Sequence, residues 1–345
     1  MNPITEALLA WYDRCARAMP WRGIHDPYRI WVSEAMLQQT RVETVLRYYD
    51  RFLARFPTLR DLAEAPEEDV LKMWEGLGYY SRARNLHQGA KQILAEYGGV
   101  LPADPVLLRK IRGIGPYTSC AVASIAYGVR AAAVDGNVIR VICRLYHLQE
   151  NPLEPAVHRR VEELALALVP ESRPGDHNQA MMDLGATVCV PGTPDCDRCP
   201  VSAFCLAVKS GDPASLPRLP GARPPKTVLY DVPVLFSGDR VLVYQRKEKM
   251  LQGLWCFPLL EGKRTEAELK SEIGRKWGLE IGLPVFRQSA KHVFTHQVWE
   301  MNIFVCGADS LAGAPPGFAF IPLSGLDRLP FPAAMKVPKA LAANG

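Results

Sequence analysis

The stretch CVPGTPDCDRCPVSAFC, residues 189–205, carries Cys189, Cys196, Cys199 and Cys205 with six, two and five residues between them. Four thiolates at such spacing can close around one centre. A close pair flanked by two outliers surrounds either a tetrahedral zinc or a cubane iron–sulfur cluster, and thiolates alone do not choose between them. Two-residue gaps are common in zinc sites, so spacing by itself favours structural zinc. The remaining five of the nine cysteines (Cys15, Cys120, Cys143, Cys256 and Cys306) stand singly, and the total is odd. That argues against a secreted disulfide framework and for a reducing compartment with one metal site.

Two acids have surroundings that could make them reactive. Glu34 lies among Trp31, Val32, Ala35, Met36 and Leu37; if buried there, its carboxyl would be pushed above the usual range. Asp135 lies in AAAVDGNVIRV just before Asn137, which is placed to cap the following helix. Each acid has a plainer use. Most glutamates in a helix first turn compensate the dipole, and an aspartate before a helix is more often a cap than a catalyst.

The elements that must position these groups are helical over residues 1 to about 206. Val42, Val45, Leu46, Tyr49, Leu53 and Phe56 recur at helical spacing until Pro57, with Ser33 placed as N-cap and Glu34 in the first turn. Further helices are expected at about 66–75, 80–97, 104–111, 116–127, 138–148, 154–169 and 177–188. In LLRKIRGIGPYTSCAVASIAYG, Gly113 and Gly115 make a tight turn, and Pro116 opens the second helix. The free amides at that helix start suit a backbone phosphate without reading sequence, although a plain helical hairpin would use the same glycines.

Five prolines and three cationic side chains in GDPASLPRLPGARPPKT, residues 211–227, read as a linker. Beyond it the period changes. VLYDVPVLF and RVLVYQR flank a Ser237-Gly238-Asp239 turn as a hairpin, VWEMNIFVC is a further strand, and a helix is expected at 265–277. Two domains fit the 345 residues: a helical one over 1–206, a linker over 207–227, and an α+β one over 228–345. A net charge of +5 favours an anionic partner without requiring one. No apolar run is long enough to span a membrane, and the N-terminus does not read as a signal peptide, so a cytoplasmic chain is expected.

PWR (20–22), WVSEAMLQQTRVETV (31–45), GLGYYSRARNLH (76–87), GIGPYT (113–118), VDGNVIRV (134–141) and the four cysteines, in that order, resemble the MutY-type adenine DNA glycosylases of the helix-hairpin-helix, endonuclease III superfamily. The resemblance implies an all-α glycosylase domain and one 4Fe-4S cluster on Cys189, Cys196, Cys199 and Cys205. It implies a bacterial, nucleoid-associated monomer acting on double-stranded DNA with adenine opposite 8-oxoguanine or guanine. By the same resemblance Glu34 protonates adenine and Asp135 stabilises the oxocarbenium ion, with Asn137 supporting Asp135 and Trp21 and Arg22 lining the base pocket. Gln39, Thr40, Leu77 and Tyr79 are placed at the lesion pair, Tyr79 as the inserted wedge, and Gly113 and Gly115 at the DNA backbone. Tyr117 stands where bifunctional relatives carry a lysine; a phenol cannot form a Schiff base, so base excision without strand cleavage is expected.

GLWCFPLLEGKRTEAELKSEIGRKWGLEI, residues 253–281, resembles a Nudix domain whose helix has lost the acid pattern that holds magnesium: Glu266, Glu268 and Glu272 alternate with lysines. MutY-type proteins use such a degenerate domain to read 8-oxoguanine with a Phe-Ser-His loop. Here Phe294-Thr295-His296 stands in its place, which keeps the hydroxyl and adds a methyl. Two other readings are open: a pyrimidine-removing glycosylase/lyase on the same fold, and a non-catalytic iron–sulfur DNA-binding module.

Overall fold

The computed structural model describes residues 2–221, 224–308 and 313–343. Positions 222 and 223 of the expected linker, and 309–312, 344 and 345 of the second domain, lie outside the described residues. Compactness divides the chain into one unit of Met1–Glu64 with Asn85–Gly221, and another of Ala65–Arg84 with Ala222–Gly345. The segment 65–84 therefore packs with the C-terminal residues, and 207–221 packs with the helical ones.

In the first unit, the helix that carries Glu34 runs Pro27–Leu37. Asp26 is its cap, accepting from the amides of Tyr28 at 2.9 Å and Arg29 at 3.1 Å, with Pro27 pre-set at the first helical position. Ser33 is thus not a cap. Its hydroxyl donates to the Ile30 carbonyl at 2.7 Å, and Glu34 sits in the last turn because Asp-Pro upstream is the stronger start signal. The chain breaks at Gln39, with φ of 56°, and re-enters helix over Val42–Arg55, where Val45, Tyr49 and Phe52 are buried and Leu46 is exposed.

The Pro116–Tyr127 helix starts at Gly115 and stops at Gly128, a left-handed residue whose successor's amide donates back to the Ala123 carbonyl at 3.1 Å. The next helix, Gly136–Leu145, begins earlier than expected because its cap is Asp135 rather than Asn137. The helices Gly136–Leu145, Pro155–Leu168 and Pro174–Thr187 share a core that includes Ile142, Val161 and Leu184 and reaches Cys205 and Leu216.

The second unit is built on a mixed sheet of β1 (Lys226–Ser237), β2 (Arg240–Gln245), β3 (Trp255–Cys256), β4 (Leu260–Glu261), β5 (Val285–Val293), β6 (Gln297–Gly307) and β7 (Phe318–Pro322). The order is β3-β2-β1-β6-β5, with β4 on β1 and β7 on β2. The expected hairpin is β1–β2, pairing Ser237 with Arg240, and the expected later strand is β6, which runs parallel to β1. Alternate residues feed two cores, one on each face: Val241, Val243 and Ile303 meet Met335 and Ala342, while Leu242 and Phe304 meet Leu269 and Ile273 of the Glu266–Trp277 helix. That helix has a Thr265–Glu268 capping box, so one of its acids serves structure.

Candidate active site

Glu34, Tyr117 and Asp135 come from three helices and meet. Tyr117, in the first turn after the glycine hairpin, donates its hydroxyl to Glu34 Oε2 at 2.7 Å. Glu34 is 5% exposed; its partner Tyr117 lines an open cleft of about 580 Å³ with Gln38, Gly113, Ile114, Gly115, Pro116, Thr118 and Asp135, while Glu34 itself does not. Burial pushes the Glu34 carboxyl up to about 7, opposed by the Tyr117 hydrogen bond, with Asp135 adding to the rise and Arg22 countering it. Burial also raises Asp135, against two donors that favour its anion: the Val138 amide at 2.8 Å and Asn137 Nδ2 at 2.9 Å. Of the two hairpin glycines only Gly113 is held to glycine; Gly115, with φ of −89° and open space around it, is not. Gly113 has φ of 86°, and a Cβ there would lie 2.8 Å from Asn85 Cβ.

Behind Asp135 the contacts continue. Asn137 Oδ1 accepts from Arg140 at 2.8 Å, and Arg140 also donates to the carbonyls of Gly185 at 2.6 Å and Cys189 at 2.7 Å. Gly185 is glycine for space, since a Cβ would fall 2.6 Å from Asn137 Cβ. Arg22 makes a two-armed pair with Asp183, at 2.6 and 2.9 Å, and Arg17 joins the same buried carboxylate. Trp21 is buried edge-on against Tyr49, ring centroids 5.1 Å apart. Neither Trp21 nor Arg22 lines the open cleft.

The four cysteines line one small cavity of about 20 Å³ together with Arg144, Val188, Pro194, Asp195, Val208 and Pro213. Two short 3-10 turns, Cys196–Arg198 and Ser202–Phe204, bend the chain between them. Among the described residues no group of three or more His, Cys, Asp or Glu side chains is arranged to hold a metal ion. The donor set nevertheless suits a thiophilic centre: four sulfurs and no histidine.

In the second unit, Tyr79 is 42% exposed with φ of 48°, and its hydroxyl lies 2.6 Å from Thr295 Oγ1. Both line a cleft with Phe294, His296, Met250 and Leu251. Leu77, expected beside Tyr79 at the base pair, is buried. Gln39 is exposed and Thr40 half-buried at the break after the Glu34 helix.

The family described as HhH-GPD superfamily base excision DNA repair protein matches residues 32–166, and a NUDIX domain matches 232–338. The chain is 36% identical to the adenine DNA glycosylase of Mus musculus, over 90% of this chain and 72% of that protein. It is 34% identical to that of Homo sapiens, over 90% and 68%. The chain belongs to the adenine DNA glycosylase family. A thermostable thymine-DNA glycosylase structure is also similar, with a TM-score of 0.55 and 31% identity over 60% of this chain and 95% of that one. An endonuclease III–DNA complex shares the fold, with a TM-score of 0.51 and 24% identity over 61% and 98%.

In this member of the adenine DNA glycosylase family, sequence reading missed the supports of its site. Arg82, 8% exposed, donates to the Gly78 carbonyl at 3.0 Å and lies 5.4 Å from the ring centres of both Trp74 and Tyr79. Arg140, Asp183 and Gly185 were likewise unread. A buried cation inside a polar helix carries no local signal, and Gly185 is explained only by Asn137, far from it in sequence.

Proposed function

We propose that this chain is a monofunctional glycosylase that excises adenine mispaired with 8-oxoguanine or guanine in double-stranded DNA, in base excision repair. The observation that carries this reading is the buried Glu34 carboxyl, raised to about 7 and set beside a second acid. Two carboxyl groups with unlike environments divide the labour of breaking a glycosidic bond. Glu34 holds its proton near neutrality and gives it to N7 of the flipped adenine, so the base leaves neutral. Asp135, whose anion the Val138 amide and Asn137 favour against the rise that burial imposes, faces the cationic sugar until water adds. Tyr117 holds Glu34 in place and offers no amine to the sugar, which disfavours the lyase reading. Retention of both acids disfavours a non-catalytic module.

Reaching the base requires its extrusion from the stack. Tyr79 fills the vacated space, and Phe294, Thr295 and His296 read the opposite 8-oxoguanine. Cys189, Cys196, Cys199 and Cys205 would hold a 4Fe-4S cluster, which when bound frames the loop that follows the catalytic helices. The reading carries with it a monomer in the bacterial cytoplasm.

Single-turnover incubation with duplexes bearing adenine opposite 8-oxoguanine, adenine opposite guanine, or an oxidised pyrimidine, then alkali, tests this. Cutting is expected only at adenine, only after alkali, and not with Glu34→Gln. Nicking at the pyrimidine without alkali, or efficient borohydride trapping, overturns it.

A further inference from the structure

Arg144 closes the Gly136–Leu145 helix with its side chain 2% exposed. Its guanidinium donates to Cys189 Sγ at 3.3 Å and to the carbonyls of Val190 at 2.8 Å, Gly192 at 3.0 Å and Leu216 at 2.9 Å. Its own carbonyl lies 3.3 Å from Cys205 Sγ. Among the described residues no carboxylate lies within ion-pair distance of it. Asp195, which lines the same cavity, turns to Arg198 at 3.4 Å. Carbonyl dipoles solvate a buried cation but do not balance its charge, and a buried charge without a counter-charge is strongly disfavoured.

With Asp195 turned to Arg198, the groups of opposite sign left to Arg144 in that cavity are the cysteines. With the centre filled, four thiolates surround a core of charge about +2, whether zinc or an oxidised cubane, so the site is net negative. With the centre lost, that negative charge is lost too, and the guanidinium remains among dipoles alone.

We infer that Arg144 is the counter-charge of the four-cysteine centre and the clamp through which a filled centre holds the 213–221 segment in place. One side chain grips a ligand, the loop after it, and Leu216, which is 2% exposed in the core shared with Cys205. Filling of the centre and docking of that segment are therefore one event. This rests on the reading that the cysteines hold a metal centre.

Hydrogen exchange of the peptide covering 213–221, read alongside metal content per chain, tests the coupling in the full-length protein. Stripping the wild type with a chelator is expected to speed exchange in that peptide about ten-fold or more, the size of losing one buried hydrogen bond to a charged group. Arg144→Gln is expected to purify with less than half the wild-type metal and to exchange fast before any chelator. Arg144→Lys, which keeps the charge but not the fork, should retain metal and still exchange fast. Protection that survives stripping, or Arg144→Gln with full metal and wild-type exchange, overturns the inference. Should Arg144→Gln be insoluble, stripping the wild type alone decides. A colourless, zinc-loaded preparation would refute the cluster while leaving the coupling to be read from zinc loss.

Discussion

The Tyr117 hydroxyl and the Glu34 carboxylate share a 2.7 Å hydrogen bond that works against the burial of the same carboxylate. Burial raises the acid and the phenol lowers it, so the position near 7 is a balance between them. Tyr117→Phe removes one side of that balance. Single-turnover excision, limited by a protonated Glu34, should then keep its rate to higher pH than the wild type. A basic limb that does not move between the two proteins would count against Glu34 as the proton donor.

The same balance fixes a stability difference. Glu34 is near 4.5 when unfolded and about 7 when folded, so the folded state binds more protons between those values and stability falls as pH rises through them. Glu34→Gln removes that cost. It should leave stability unchanged near pH 4 and add roughly 3 kcal/mol at pH 8, because each tenfold change in proton affinity is worth about 1.4 kcal/mol. Urea unfolding at the two pH values measures it, and an equal gain at both would refute the buried acid.

Gly185→Ala pushes a methyl against Asn137, which in turn holds Asp135. A displacement of this kind at an acid poised for a transition state costs roughly 100-fold in rate. Excision of bound adenine should fall by about that much while affinity for duplex changes little. An unchanged rate would mean that Asn137 does not position Asp135.

Thr295→Val preserves shape and removes the hydroxyl that meets Tyr79. The loss of one exposed hydrogen bond is worth about 1 kcal/mol, or roughly five-fold. Discrimination of 8-oxoguanine from guanine should fall by that factor, with less effect on the rate at saturating enzyme. Phe294→Ala and His296→Ala should fall further on the same measure; equal loss of discrimination and rate in all three would sink the lesion-reading role.

His177 is buried with neither ring nitrogen hydrogen-bonded among the described residues, and burial lowers it from 6.5 to about 4. The unfolded chain therefore takes up the proton first, and stability is lost as pH falls from 6.5 toward 4. His177→Leu should flatten the acid side of the stability curve, by roughly 3 kcal/mol at its full extent. Parallel acid unfolding curves for the two proteins would contradict this.

What could be read in advance follows how local its cause is. The hairpin at Gly113–Gly115, the β1–β2 turn and the Glu266–Trp277 helix are written in neighbouring residues, and each stands where expected. Ser33 misled because a serine three residues from a carbonyl can satisfy itself inside a helix, which leaves the start to Asp26-Pro27. Asn137 misled because its amide serves Asp135, and Asp135 is the residue that caps. Glu34 and Asp135 were legible as acids in unusual settings, while the bond that joins Glu34 to Tyr117 spans 83 residues of sequence. Strand β5 carried no alternation to find, because nearly every residue in it is exposed.

The grouping of Ala65–Arg84 with the C-terminal residues bears on how the protein can be cut. The proline-rich stretch invites a truncation between residues 206 and 228, yet the C-terminal fragment would leave behind its own members. The Phe331 amide would lose Glu75 Oε1, 3.0 Å away, and Thr295 would lose Tyr79. Val70, Leu71 and Trp74, all fully or almost fully buried, belong to the same segment. A fragment starting at the linker is thus an incomplete fold, and a minimal C-terminal piece must be made by grafting 65–84 onto it.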